Sequence, residues 1–128
     1  VKAVLNSDLH MTTGGIHIVA LLDREKVLAV SEDIGRHNAL DRMIGFALRN
    51  RIDLSRSYVI VSGRISSEMV RKCLIANIPI IVSRGATTTL AVETAGKTGL
   101  TVVGFARGGK MVIYTGTERI VGAAPALQ

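Results

Sequence analysis

Apolar and polar positions along the chain fall into blocks whose lengths and periods separate strands from helices. Val1 to Met11 carries Val4, Leu5 and Leu9 beside Asp8 and reads as a short helix, stopped at Thr12-Thr13-Gly14-Gly15. Ile16 to Leu22 is an apolar run broken only by His17, the pattern of a strand buried on both faces. A polar turn, Asp23 to Lys26, leads to Val27 to Ser31, so these two strands form a hairpin. From about Arg36 to Asn50 the apolar residues Leu40, Met43, Ile44, Ala47 and Leu48 recur at helical spacing.

The second half repeats one unit. Tyr58 to Ser62 is a strand ending in Gly63-Arg64, and Ser66-Ser67-Glu68 supplies N-cap hydroxyls and a first-turn acid for a helix turning Met69, Val70, Cys73 and Leu74 inward. Pro79 to Val82 is the next strand, ending in Ser83-Arg84-Gly85, and Thr87 to Lys97 is its helix, with Leu90, Ala91, Thr94 and Ala95 on one face. Thr101 to Phe105 and Met111 to Thr115 are joined through Ala106 to Lys110, where Gly108-Gly109 suits a tight hairpin. The tail, Gly122 to Gln128, is small and apolar without periodicity. Strands alternating with helices imply parallel crossovers, and two hairpins imply antiparallel edges. The expected fold is α/β: a three-layer α/β/α domain with a mixed sheet and helices on both faces, one domain over residues 1–128.

Composition agrees with a sheet covered by helices, since aromatics are 3% of 128 residues and the core must come from Val, Ile, Leu and Ala. Charge adds a partner class. Sixteen Lys and Arg against ten Asp and Glu leave +6, and Arg, which suits bidentate phosphate contact, predominates. The basic residues form no run, and few aromatics are present to stack bases, which argues against a dedicated nucleic-acid binder. One cysteine, Cys73, excludes an internal disulfide or CxxC pair within this chain, and its place on an apolar helix face marks it as core. The expected compartment is the cytoplasm: no stretch approaches a membrane span and no basic-then-apolar signal opens the chain.

Three strands end in related chemistry: Gly63-Arg64, Arg84-Gly85 and Ala106-Arg107. Parallel strands bring such ends to one rim, where open α/β sheets bind ligands, so Arg64, Arg84 and Arg107 point to a phosphorylated ligand. A fourth element is Glu32-Asp33-Ile34-Gly35-Arg36-His37-Asn38, placed where a strand hands over to a helix and its free N–H groups. Arg36 and His37 stand beside that helix start. His17 follows Gly14-Gly15, a turn able to face a ligand, although an isolated histidine in an apolar strand is more commonly structural. Glu32, Asp33, Asp41 and His37 can be read as an acid/base or metal set, or as capping and salt-bridge groups. No Cys pair or H-x-E arrangement supports zinc deaminase chemistry, and no metal is expected.

Four segments occur in order: Thr13-Gly14-Gly15-Ile16-His17, Glu32 to Asp41, Ser62-Gly63-Arg64-Ile65-Ser66-Ser67-Glu68-Met69-Val70, and Gly104-Phe105-Ala106-Arg107-Gly108-Gly109-Lys110. In this the chain resembles the FdhD/NarQ family of formate dehydrogenase accessory proteins over roughly residues 11 to 120. The resemblance implies a sulfur carrier that takes sulfur from a cysteine desulfurase and hands it to the bis-molybdopterin guanine dinucleotide molybdenum cofactor of formate dehydrogenase. It further implies a cytidine-deaminase-like fold without the zinc site, and a homodimer. The cofactor-binding stretch falls on Phe105, Ala106, Arg107, Gly108, Gly109 and Lys110; with Arg64, Arg84, Gly15, His17, Arg36 and His37 these are the expected binding residues.

The family's persulfide-carrying cysteines sit in a CxxC-type loop upstream of the matched part. Cys73 does not match that loop, and Arg84-Gly85-Ala86-Thr87 departs from the Ser and Pro expected there. The expectation is a cofactor-binding, carboxyl-terminal part of a longer sulfur carrier, for which GDP is a soluble partial mimic of the cofactor. The alternatives are a deaminase-like nucleotide-binding enzyme and a cysteine-less cofactor chaperone or scaffold for the dehydrogenase.

Overall fold

A computed structural model describes residues 16–120. In chain order the elements are β1 (His17–Asp23), β2 (Lys26–Asp33), α1 (Arg36–Arg49), β3 (Tyr58–Val61), α2 (Ser67–Ile75), β4 (Ile80–Ser83), α3 (Thr89–Thr98), β5 (Thr101–Arg107) and β6 (Lys110–Thr115). Short 3₁₀ turns occupy Leu54–Arg56 and Thr117–Arg119. The strands form one six-stranded sheet in the order β2-β1-β3-β4-β5-β6. Its centre, β3-β4-β5, is parallel, while β1 runs against both β2 and β3, and β6 runs against β5. The mixed α/β sheet expected from the sequence is present, with its two hairpins at opposite edges.

Handedness decides where the helices go. The connections β2-α1-β3, β3-α2-β4 and β4-α3-β5 all advance across the sheet in one direction, so right-handed crossovers place all three helices on one face. One core cluster accordingly joins Leu40 and Met43 of α1, Met69 and Cys73 of α2 and Ala91 and Ala95 of α3 to the strand residues Val19, Leu21, Val59, Ile81 and Val102. The alternate strand residues, Ile18, Ala20, Leu22, Ile60, Val82 and Val103, form a second buried cluster on the other face. The described helices all belong to the first face. The helix read at Val1 to Met11, the tail from Gly122 and Gly15 lie outside the described residues.

Several boundaries and faces differ from the sequence reading. Strand β2 continues to Asp33, two residues past Ser31, because His17 of β1 still pairs with Asp33. Helix α3 starts at Thr89 because Thr88, rather than an earlier residue, is the N-cap, its hydroxyl accepting from Ala91 N at 3.1 Å. Leu48 and Leu90 do not face inward; they are 64% and 53% exposed. On α3 only the small residues Ala91 and Ala95 are buried, which lets that helix lie close to the sheet. Leu90 is thereby turned to solvent.

Cys73 is fully buried among core side chains, and burial pushes its thiol up from 9.0 to about 12. Tyr58 is pushed up from 10.0 to about 12, first by burial and then by the negative charges of Glu25 and Asp23. Its hydroxyl donates to the Arg24 carbonyl. Both groups hold their protons more tightly folded than unfolded. Their contribution to stability is therefore full below the ordinary values of 9.0 and 10.0 and is lost as pH rises towards about 12. Urea unfolding midpoints should fall above pH ~9 in the wild type, and in Cys73→Ala the fall should begin later, where Tyr58 first matters. Native protein at pH ~8 should resist iodoacetamide; rapid alkylation of Cys73 without unfolding would contradict this burial.

Candidate functional site

The candidate site follows from register. Pairing of His17 with Asp33 and of Val19 with Val61 puts Asp33, His17 and Gly63 level across β2, β1 and the end of β3. Every β3–β4 partner is 22 residues apart, from Tyr58 with Ile80 to Val61 with Ser83, and the same offset reappears beyond the strands as a bridge between Ile65 and Thr87. The two strand-to-helix loops therefore run side by side. Ile65 N donates to Ala86 O at 3.1 Å and Thr88 N to Ile65 O at 3.1 Å. Phe105 N donates to Gly85 O at 2.9 Å, which extends the row to β5. Strand ends from β2 to β5 thus form one continuous rim.

Serines hold the rim in place. Ser62 Oγ accepts from Ile18 N at 2.9 Å, tying β3's end to β1. Ser83 Oγ donates to Gly63 O at 2.5 Å and accepts from Gly85 N at 2.9 Å, tying the two loops together. A Cβ on Gly63 would lie 2.8 Å from His17 Nδ1 and 3.7 Å from Arg36 Cδ, so glycine there gives the floor on which both side chains rest. At Gly104 a Cβ would lie 3.3 Å from both Gly85 O and Thr87 Oγ1. The backbone is kept thin where the loops cross.

Polar groups on this rim are unevenly satisfied. Among the described residues Arg36 Nε, Arg84 Nε and Thr87 Oγ1 are buried without a hydrogen-bond partner. Helix α1 has Gly35 as its N-cap, with no side-chain cap bond and no acid in its first turn, although the Asp33 carboxylate accepts from Gly35 N just before it. His37 is engaged: its Nε2 is 3.0 Å from Ser66 Oγ and its Nδ1 is 3.5 Å from Glu68 Oε2. Ser66 is at the same time the N-cap of α2, accepting from Met69 N at 3.3 Å.

The acids do structural work. Asp33 Oδ1 accepts from Gly35 N at 3.0 Å and its Oδ2 lies 3.3 Å from Arg42, while Asp41 binds Lys72 Nζ at 2.7 Å. Glu32 is exposed, and only its backbone carbonyl accepts from Arg42. Among the described residues no three His, Cys, Asp or Glu side chains converge as a metal site.

The β5–β6 hairpin stands at the far end of the rim. A bulge between Gly104 and Arg107 puts Phe105 at φ 50, and Gly108 and Gly109 turn the chain at φ 62 and 77. Ala106 is buried, whereas Phe105 and residues Arg107 to Lys110 are exposed. The Arg107 guanidinium lies 5.8 Å from the centre of the Phe105 ring. Of the binding residues expected from the sequence, His17 and Arg36 meet over Gly63, Arg84 lies in the adjoining loop, and His37 lies at the α1 end. Arg64 is exposed on the β3–α2 loop. Ser66, Glu68 and Thr87 were not singled out as ligand-side residues in the sequence. The signal available for them was the equal length of the two strand-loop-helix units.

A mixed sheet with parallel strand ends and paired loops, all described helices on one face, makes this an α/β domain. That fold recurs in a diaminohydroxyphosphoribosylaminopyrimidine deaminase/reductase from Thermotoga maritima, at a TM-score of 0.62 and 13% identity over 80% of this chain and 35% of that one. A chain from Desulfotalea psychrophila assigned as a formate dehydrogenase accessory protein matches at a TM-score of 0.81 and 34% identity, over 93% of this chain and 51% of that one. The model of the FdhD/NarQ family matches residues 2–121, and the chain belongs to that family. Sulfur carrier protein FdhD of Wolinella succinogenes is 48% identical over 116 residues, covering 91% of this chain and 41% of the relative. The Streptomyces coelicolor protein of the same name is 46% identical over 110 residues, covering 84% of this chain and 39% of that relative. The chain thus spans about two fifths of the length of these curated relatives.

Gly63→Ala isolates the floor of the site. A methyl 2.8 Å from His17 Nδ1 must displace that ring. In NMR spectra the His17 imidazole resonances should move while those of His37, held by Ser66 and Glu68, change little. Unmoved His17 signals would show that the ring does not rest on Gly63.

Proposed function

We propose that this chain is the cofactor-binding part of a sulfur carrier that takes sulfur from a cysteine desulfurase and delivers it to the bis-molybdopterin guanine dinucleotide molybdenum cofactor of formate dehydrogenase. In this reading it works as a homodimer in the cytoplasm. The observation that carries the binding assignment is the pair of buried, unpartnered Nε groups of Arg36 and Arg84 on one rim. A buried N–H without an acceptor costs about 1–3 kcal/mol, and a charged donor more, so the rim is destabilised until an anion arrives. Phosphate oxygens are the acceptors that guanidinium groups match best. The start of α1 adds N–H groups and a positive dipole end, with no acid within its first turn.

The spread of the rim suits an elongated ligand. His17 on β1 and the Arg107 hairpin on β5 are separated by three strand spacings, or ~14 Å. One phosphate group cannot touch both ends, whereas a dinucleotide-sized cofactor can. The exposed Phe105 ring and the glycine turn beside it would hold the end of the ligand nearest β5, and Lys110 would add a second positive charge there. In this reading the cofactor is cargo, and the chain's residues bind and orient it. The persulfide is assigned to cysteines beyond this chain, because Cys73 is buried with its thiol held protonated.

Calorimetric titration with GDP tests the binding assignment. One saturable site is expected, weakened ~10-fold or more by Arg36→Ala or Arg84→Ala, each of which removes a charge-assisted contact. Arg107→Ala should weaken it as well if the guanine end reaches the hairpin. A wild-type chain that gives no binding heat at millimolar GDP, or arginine variants with unaltered affinity, would defeat the assignment.

A further inference from the structure

Ser66, His37 and Glu68 form a chain of contacts that the binding role does not use. Ser66 Oγ is 3.0 Å from His37 Nε2, and His37 Nδ1 is 3.5 Å from Glu68 Oε2. A carboxylate on the Nδ1 side favours the tautomer with its proton there, which leaves Nε2 to accept the Ser66 hydroxyl proton. This is a nucleophile, a base and a group that orients the base, each within the looser reach seen before substrate binds. The three residues come from two elements: His37 from the first turn of α1, Ser66 and Glu68 from the start of α2. Chain connectivity alone does not force such a meeting.

The surroundings complete the requirements. As N-cap, Ser66 sits directly before Ser67 and Glu68, whose N–H groups have no partner within the helix. Such donors are suited to an oxyanion. Arg36 precedes His37 in sequence and Arg84 lies in the loop paired with the one that carries Ser66, so both unpartnered Nε donors belong to the triad's own segment or to the loop beside it. Helix capping explains the bond from Met69 N to Ser66 Oγ. It does not explain an imidazole and a carboxylate arranged behind the same oxygen.

We propose that Ser66 is a nucleophile activated by His37 and oriented by Glu68, and that it hydrolyses esters or thioesters carrying a phosphate-bearing tail, which the arginines would hold. In the first step Ser66 Oγ bonds to the carbonyl carbon and its proton passes to His37 Nε2. The carbon–sulfur or carbon–oxygen bond of the substrate then breaks, its electron pair leaving with the thiolate or alkoxide, which takes the proton from His37. Water attacks the acyl-serine, gives one proton to His37, and that proton returns to Ser66 Oγ as the carboxylic acid departs. Nothing is oxidised or reduced, and water is the sole co-reactant. The phosphate-bearing tail would lie on the arginines of the proposed cofactor site, so the substrate class rests on that reading, whereas labelling of Ser66 does not.

The whole chain should be treated with a fluorophosphonate and digested for mass spectrometry. Adduct formation on Ser66 is expected, with fluoride leaving. Its rate should fall at least ~100-fold in His37→Ala, the scale of a lost general base. Ser66→Asp keeps an equally good N-cap, so it should keep the wild-type melting temperature while losing the adduct. Acetyl-coenzyme A, a phosphate-bearing thioester, should be hydrolysed by the wild type and not by Ser66→Asp, read as released thiol. No adduct on Ser66 in folded wild type, or an adduct formed as fast without His37, would overturn the proposal. Labelling of Ser66 with no thioester turnover would overturn the substrate class.

Discussion

The domain depends on the handedness of its crossovers. Two consecutive right-handed strand-helix-strand units share β4, and a third connection returns from β2 past β1 to β3 in the same sense. That single chirality puts the described helices on one face, and the common direction of the strands before them puts their starts at one end of the sheet. The tight turns of the two hairpins reverse the chain, so β1 and β6, the antiparallel members, supply their beginnings where the parallel strands supply their ends. The rim is a consequence of topology before any side chain is considered.

What the side chains add is a division between groups that are satisfied and groups that are not. Ser62, Ser83, Ser66 and Thr88 have their hydroxyls committed to backbone or ring partners, and they stiffen the loops. Asp33 and Asp41 are committed to Gly35, Arg42 and Lys72. Against this ordered background, Arg36 and Arg84 keep unanswered donors in a buried position. Proteins tolerate such groups where a ligand or a reaction supplies the missing partner. The contrast between neighbours on the same loops marks a candidate site that the net charge of the chain does not single out.

Much of the fold could be read along the chain because its signals are local. The apolar runs, the Ser66 cap and the Gly108-Gly109 turn each act within a few residues, and each stands where local chemistry puts it. The errors have a common cause. Leu48 and Leu90 continue a helical spacing yet face solvent, because the width of a buried helix stripe depends on how closely the helix approaches its sheet, which periodicity does not encode. The sequence did place the strand-end arginines and the α1 start at one end of the sheet. The partnership of His37 with Ser66, 29 residues away, was not legible there, since it depends on which two helix starts become neighbours. Likewise Gly63 announces a flexible backbone in sequence, and only packing reveals that it makes room for His17.

The constant 22-residue offset of the β3–β4 ladder and of its loops has an evolutionary reading. Because the bridge between Ile65 and Thr87 lies beyond the strands, both connections must be the same length to arrive together. Adding or deleting one residue in just one of the two loops, between Val61 and Ile65 or between Ser83 and Thr87, would leave the ladder intact or the bridge intact, but not both. Length variation among descendants of this domain should therefore avoid these two short loops and collect elsewhere, in the Asp23–Lys26 turn, the turn between α2 and β4 and the β5–β6 hairpin. Substitution could alter the chemistry of the rim freely, while the residue count beneath it stays frozen.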